Sequence, residues 1–249
     1  MSSIFTAFIK FSYIMSLILA LDSSTDACSV ALYQEGELNS VFELAAKSHT
    51  QRLLPMVDEL LKQSGISLKE LDAIAFGRGP GSFTGLRICA GIVQGLAFGT
   101  QLPVIPVSTL EAQALAYTRA NPDNQYPIIA ALDARMNEVY WGMFQPHRNS
   151  VQAVGNEQVM SPEALVNDPR VQSLDGHFVA IGSGWHYPDM QVSGAKAIVM
   201  DTYPHASDIA LIAAEHWTQG RAVNVLDAQP VYLRDSVSWQ KRQRIRHSD

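Results

Sequence analysis

The sequence predicts an α/β protein assembled from two related halves, on three observations. Two segments, ILALDSSTDACSVALYQ at 18–34 and IAALDARMNEVYWGMFQ at 129–145, share one spacing. Each has an apolar strand ending in Leu-Asp, a short polar turn, a second strand of aliphatic and aromatic residues, and a closing Gln. Between them, GRGPGSFTGLR at 77–87 joins the apolar run AIAF to a proline-free stretch with helical spacing, the pattern of a strand-to-helix turn. A length of 249 residues, 47% hydrophobic and 17% charged, suits one or two globular domains with a sizeable core.

The elements follow in chain order. Residues 4–21 are apolar enough to resemble an export segment, but Lys10 interrupts them and DSSTDACSV after them is a strand end with a turn, not a small-residue cleavage site. Residues 1–14 are therefore expected to be an upstream extension, with Met15 as the native start and a strand over 17–21. A helix is expected over 50–64, capped by Ser48 and closed by Gly65, with Leu53, Leu54, Val57, Leu60 and Leu61 as its apolar stripe and Met56 widening it. The strand at 73–76 leads into the glycine-rich turn, and a second helix is expected over 86–98. Later come a short capped helix at 161–166, a helix at 205–219 ended by Gly220, and a strand-like PVYLR at 230–234. The expected domains are 15–118 and a smaller 119–249.

Composition excludes some functions. A net charge of −6 argues against a chain that binds nucleic acid alone, since neutralising phosphates needs a basic face. The basic run KRQRIRH at 241–247 reads as a solvated tail or as a tRNA contact. Cys28 and Cys89 form no CxxC pair and lie in apolar runs, which fits a reducing, cytoplasmic compartment. The glycine-rich turn is neither a Walker loop, which needs GxxxxGK followed by Ser or Thr, nor a GxGxxG fingerprint, because Thr84 stands where the third glycine belongs. It is either a tight turn or an anion cradle at a helix N-terminus.

The paired Asp-bearing hairpins resemble the actin and sugar-kinase superfamily, whose two related domains place such turns on either side of a nucleotide's phosphates. That resemblance implies a duplicated, actin-like two-domain fold with a reduced second domain. It makes Asp22, Ser24, Thr25, Gly79, Gly81, Ser82, Thr84 and Asp133 the phosphate-facing candidates, and the short IGSGW at 181–185 the nearest thing to an adenosine loop. Ser23 stands where the superfamily has glycine after its first Asp, which leaves less room for a phosphate.

The strings LALDSS, SHTQRLLPMV, GPGSFTGLR, ALDARMNEVYW and PVYLR, in that order, resemble the TsaB (YeaZ) family along nearly the whole chain from Met15. The resemblance implies a non-catalytic subunit for making threonylcarbamoyladenosine in tRNA. Its partners would be the catalytic subunit TsaD, the ATPase TsaE and a second copy of itself, with tRNA reached only through the complex. No membrane association and no tightly bound cofactor are implied, and ATP or ADP would enter at the complex interface. TsaD carries Val-x-His-x-Glu-x-His; this chain reads VSTLEAQA, with Thr109 and Gln113 at the histidine positions and Glu111 between them, so no metal site is expected. An independent kinase or carbamoyltransferase using Asp22, Ser24, Thr25, Asp133 and the glycine-rich turn is the alternative reading.

A partner protein needs apolar surface beyond its own core. The second helix is apolar nearly all round, with Ile88, Ile92 and Leu96 on one row, Cys89, Val93 and Ala97 on the next, and Gly91, Gly95 and Gly99 on a third. The resemblance implies that this helix and the one before it make a four-helix contact, with Leu53, Val57, Leu60, Leu61, Ile88, Gly91, Ile92 and Gly95 as its residues. A helix enclosed in its own domain is the alternative.

Overall fold

The computed structural model describes residues 16–44, 48–191 and 193–234; the expected extension at 1–14 and the basic run at 241–247 lie outside them. Two sheets account for the strands. The first has the order β3-β2-β1-β4-β5, built from β1 (Leu17–Asp22), β2 (Ala27–Gln34), β3 (Glu37–Leu44), β4 (Ala73–Gly79) and β5 (Val104–Ser108). The second contains β6 (Ile128–Arg135), β7 (Glu138–His147), β8 (Ser150–Ala153), β10 (Val179–Ile181) and β11 (Ala197–Val199) in the order β11-β10-β6-β7-β8, with β9 (Gln158–Met160) on β7. Counted from each hairpin, both sheets follow one plan: strands one, two and three are antiparallel neighbours, and strands four and five run parallel to the first. The two matched hairpins are the first two strands of each sheet.

Strand alternation sends Leu19, Leu21, Ile74 and Phe76 to one face of the first sheet and Ile18, Ala20, Ala73 and Ala75 to the other. The first face is covered by α1 (His49–Ser64) and α2 (Phe83–Thr100). Gly65 closes α1 at φ 68, where its N–H returns to the last carbonyls of the helix. Helix α2 starts three residues before the expected 86, because Ser82 occupies the cap position and accepts from Gly85 N. The small second half carries α4 (Pro162–Val166), α5 (Pro169–Gln172) and α6 (Pro188–Gln191), and Trp141 and Trp185 fill its core.

Helix α3 (Thr109–Ala120) lies between the sheets, with Ala112 and Leu115 packed toward the first and Leu110 and Ala114 toward the second. Helix α7 (Ala206–Thr218) departs from the expected division at 118/119. Its Ala206, Ile209, Ala210 and Ala213 cover the second face of the first sheet, so the chain returns to the N-terminal half. The expected strand at 230–234 is instead a segment without regular secondary structure outside both sheets, held by side chains and single backbone bonds. Among the described residues no helix is long and apolar enough to cross a membrane.

One expectation for α1 is corrected by burial. Leu53, Val57, Leu60 and Leu61 are 0%, 2%, 3% and 7% exposed, because the helix turns its apolar stripe onto its own sheet. They are core residues, not a free interface; Leu54, at 48%, is the leucine that faces outward. Leu53→Ala is accordingly expected to lower stability by about 2–5 kcal/mol in urea unfolding, whereas Leu54→Ala stays within about 0.5 kcal/mol.

Candidate functional site

The two hairpin turns face one another across a cleft of ≈ 740 Å³. From the first half, Ser24, Thr25, Asp26 and the Gly81–Ser82–Phe83–Thr84 turn line it; from the second, Asp133, Arg135, Ser183, His186 and Tyr187. Six of the eight expected phosphate-facing residues meet here: Ser24, Thr25, Gly81, Ser82, Thr84 and Asp133. Asp22 and Gly79 do not.

Gly79, at φ +106, has its Cα pressed against the backbone of the C-terminal segment, where an added Cβ would lie 2.9 Å from the Val231 carbonyl. Asp22 is 1% exposed, lying beneath the turn that follows it. Its Oδ2 accepts from Ser24 N at 2.9 Å and from the Ser24 hydroxyl at 2.8 Å, and its Oδ1 is buried against Gly77 without a hydrogen-bond partner. Burial pushes its pKa up to about 7, against the lowering effect of the two Ser24 bonds and of His49. Through these two bonds the carboxyl group braces the Ser23–Ser24 turn from beneath.

The glycine-rich turn closes on the same place. A Cβ on Gly81 would lie 2.4 Å from the Ser24 carbonyl, and one on Gly85 would lie 1.9 Å from the Ser23 carbonyl. Ser82 N donates to Ser24 O at 2.7 Å, and the Ser23 hydroxyl donates to Gly85 O at 3.0 Å. These glycines permit backbone to rest on backbone. His49 Nε2 lies 2.7 Å from the Thr25 carbonyl and holds the far side of the turn to α1.

On the opposite lip, both carboxylate oxygens of Asp133 have partners. Its Oδ1 accepts from Arg135 N at 2.8 Å and the Tyr187 hydroxyl at 3.0 Å, and its Oδ2 takes the Arg135 guanidinium at 2.9 Å. The IGSGW segment folds inward: Gly182 and Gly184 rest on Ala131, Trp185 is buried, and only Ser183 of the five lines the cleft.

The two positions at which metal-binding histidines were expected to be absent have other work. Thr109, fully buried, donates to the Pro80 carbonyl; Gln113 donates from Nε2 to both the carbonyl and the hydroxyl of Thr202 at 2.8 Å. One bond ties α3 to the glycine-rich turn, the other ties it to the second half. No group of three or more His, Cys, Asp and Glu side chains among the described residues is placed to hold a metal. Glu111 sits on the same helix, its pKa raised to about 7 by burial and by Glu157. Glu157 accepts from the Ser108 hydroxyl that caps α3.

On α2, Ile88, Ile92 and Leu96 are half-buried, while Gly91, Gly95 and Gly99 are turned outward with nothing within 4 Å of an added Cβ, apart from the helix's own nearby backbone. Phe83 and Phe98, near the two ends of the helix, are 55% and 74% exposed.

The family model described as TsaD, tRNA N6-adenosine threonylcarbamoyltransferase, matches residues 41–233. Over 229 residues the chain is 46% identical to the tRNA threonylcarbamoyladenosine biosynthesis protein TsaB of Escherichia coli K12, covering 90% of this chain and 97% of that one. The chain belongs to the TsaB family. The TsaB of Haemophilus influenzae is 42% identical over 238 residues, covering 90% and 96%. The solved structure of YeaZ from Pseudomonas aeruginosa superposes with a TM-score of 0.79 at 43% identity, covering 88% of this chain and all of the other. The duplicated α/β fold described above is therefore the fold of the TsaB family.

The Asp22 pKa gives a pH prediction with a defined sign. The folded chain holds this proton up to about pH 7 while an unfolded Asp releases it near 4. The folded state therefore binds more protons in that interval, and Asp22 makes stability fall as pH rises from about 4 to about 7. Asp22→Asn, neutral throughout, should gain on the parent over that window in denaturation measured at several pH values, with a flat difference above it.

Proposed function

We propose that this chain is a non-catalytic subunit of the apparatus that makes threonylcarbamoyladenosine in tRNA, and that it acts by binding and activating a TsaD transferase. The open glycine row of α2 carries the reading. Glycine costs about 1 kcal/mol relative to alanine inside a helix, and none of the described residues crowds Gly91, Gly95 or Gly99 to require it. A helix from another chain, approaching backbone to backbone, gives the row a purpose, and the exposed Phe83 and Phe98 supply apolar anchors near its two ends. The partner is TsaD, with a second copy of this chain as the competing occupant of the same face. TsaE and tRNA join through the complex, in keeping with the net charge of −6.

The same reading accounts for the cleft. Tight magnesium-nucleotide binding needs carboxylate oxygens free to face the metal. Asp133 is committed to Arg135 and Tyr187, and Asp22 is buried beneath its own turn. ATP or ADP is accordingly assigned to the assembled complex, and an independent kinase or carbamoyltransferase is disfavoured by the same two carboxyl groups.

Gly95→Leu separates folding from partnership. The isolated variant should keep or raise its melting temperature, because leucine is the better helix former and the space is open. Its affinity for TsaD should fall at least about tenfold, near 1.4 kcal/mol, in titration calorimetry. Unchanged affinity would move the interface off α2. Depletion of the chain should remove threonylcarbamoyladenosine from tRNA, read by mass spectrometry of digested tRNA. Modification by the isolated chain, given threonylcarbamoyl-AMP and tRNA without TsaD, would make it a catalyst and overturn the proposal.

A further inference from the structure

Residues 219–234, after α7, belong to neither sheet, yet they touch both lips of the cleft. Val223 exchanges backbone hydrogen bonds with Val104 at the edge of the first sheet, at 3.0 and 2.8 Å. Gln94 of α2 donates to the Ala228 carbonyl at 2.8 Å. Val231 N donates to Arg78 O at 2.7 Å, and the Val231 carbonyl lies over Gly79. The Tyr232 hydroxyl accepts from Arg87 Nε at 3.2 Å, with its ring 5.6 Å from that of Phe83. All these anchors are in the first half.

Arg234, 19% exposed, crosses to the second. Its Nε donates to Glu138 Oε2 at 3.0 Å and its Nη2 to the Ala134 carbonyl at 3.1 Å, and the Glu138 ion pair completes the fork. The turn it grips holds Arg135, Met136 and Asn137 at φ 62, 59 and 58, three consecutive left-handed residues of which none is glycine. Such a turn persists only where its surroundings hold it.

We propose that residues 223–234 are a strap that sets the opening of the cleft, with Arg234 as its clasp on the second lip. The reach of the chain gives the strap its effect. From Val231, fixed to the glycine-rich turn, to Arg234, fixed to the β6–β7 turn, three residues span at most about 11 Å when fully extended. While both attachments hold, the lips cannot separate beyond that reach plus one arginine side chain. Helix α3, packed between the two sheets, also joins the halves through Thr109 and Gln113, so the strap is a second connection, at the lips, that limits their separation.

A distance measurement on the full chain tests this. Cys28 and Cys89 are both buried, so exposed Lys69 in the first half and Glu163 in the second can each be replaced by Cys and spin-labelled, and the separation read by double electron–electron resonance. The parent should give one narrow distribution. Arg234→Ala should give a longer and broader one, and Arg234→Lys an intermediate one, because lysine keeps the charge opposite Glu138 but not the planar fork. Amide exchange in the β6–β7 turn should rise by roughly tenfold in Arg234→Ala as its support is lost. If Arg234→Ala does not fold, Glu138→Gln removes the other half of the ion pair and should broaden the distribution. A distance identical to the parent's in a folded variant overturns the proposal. So does a lowered melting temperature without a change in distance, because Arg234 would then brace the fold without governing the cleft.

Discussion

The cleft is organised by one contact, in which the carbonyls of Ser23 and Ser24 rest against Gly85 and Gly81. It requires glycine at both positions, since any side chain there would meet a carbonyl oxygen at less than van der Waals distance. From it follow the start of α2 at Phe83, the engagement of Ser82 N by the Ser24 carbonyl, and the burial of Asp22 beneath the turn. A helix N-terminus that faces open water attracts anions, but here part of its donor set already meets the protein's own backbone. The first lip is thus built as a packed joint.

The second lip reaches the same position by other means. No glycine stands between Asp133 and Glu138, so the turn holds left-handed residues in place with hydrogen bonds from Asp133, Tyr187 and Arg234. Two turns that share a sequence pattern and a topological place are therefore held differently, one by shape and one by charge. Salt screens the exposed ion pairs of the second far more than the packed backbone of the first.

The duplicated frame was legible in the sequence because hairpin register is local: Leu-Asp at the strand end and the aromatic second strand sit at fixed separations in both halves. Helix α1 was legible from its period, and Gly65 from its position. What covers an apolar stripe was not legible. Leu53 lies on the apolar stripe of α1 and Gly95 on the more apolar α2, yet the first faces a sheet and the second faces outward, and only packing decides between them. The role of Gly79 was equally hidden, since its neighbour Val231 lies at the other end of the chain. PVYLR read as a strand because alternating aliphatic and aromatic residues mark extended backbone. The residues pair with no strand, and Arg234 takes its partners from a turn instead.

Thr109 and Gln113 also bear on how much change the joint between the halves tolerates. Their hydrogen bonds tie α3 to Pro80 on one side and to Thr202 on the other. Histidine at Thr109 would crowd a fully buried site and remove the donor from a buried carbonyl, and histidine at Gln113 would give up one of the bonds to Thr202 beside Gly182. A substitution at either position is felt first in the coupling of the two halves, so this face of α3 acts as a keystone that constrains drift on both sides of it.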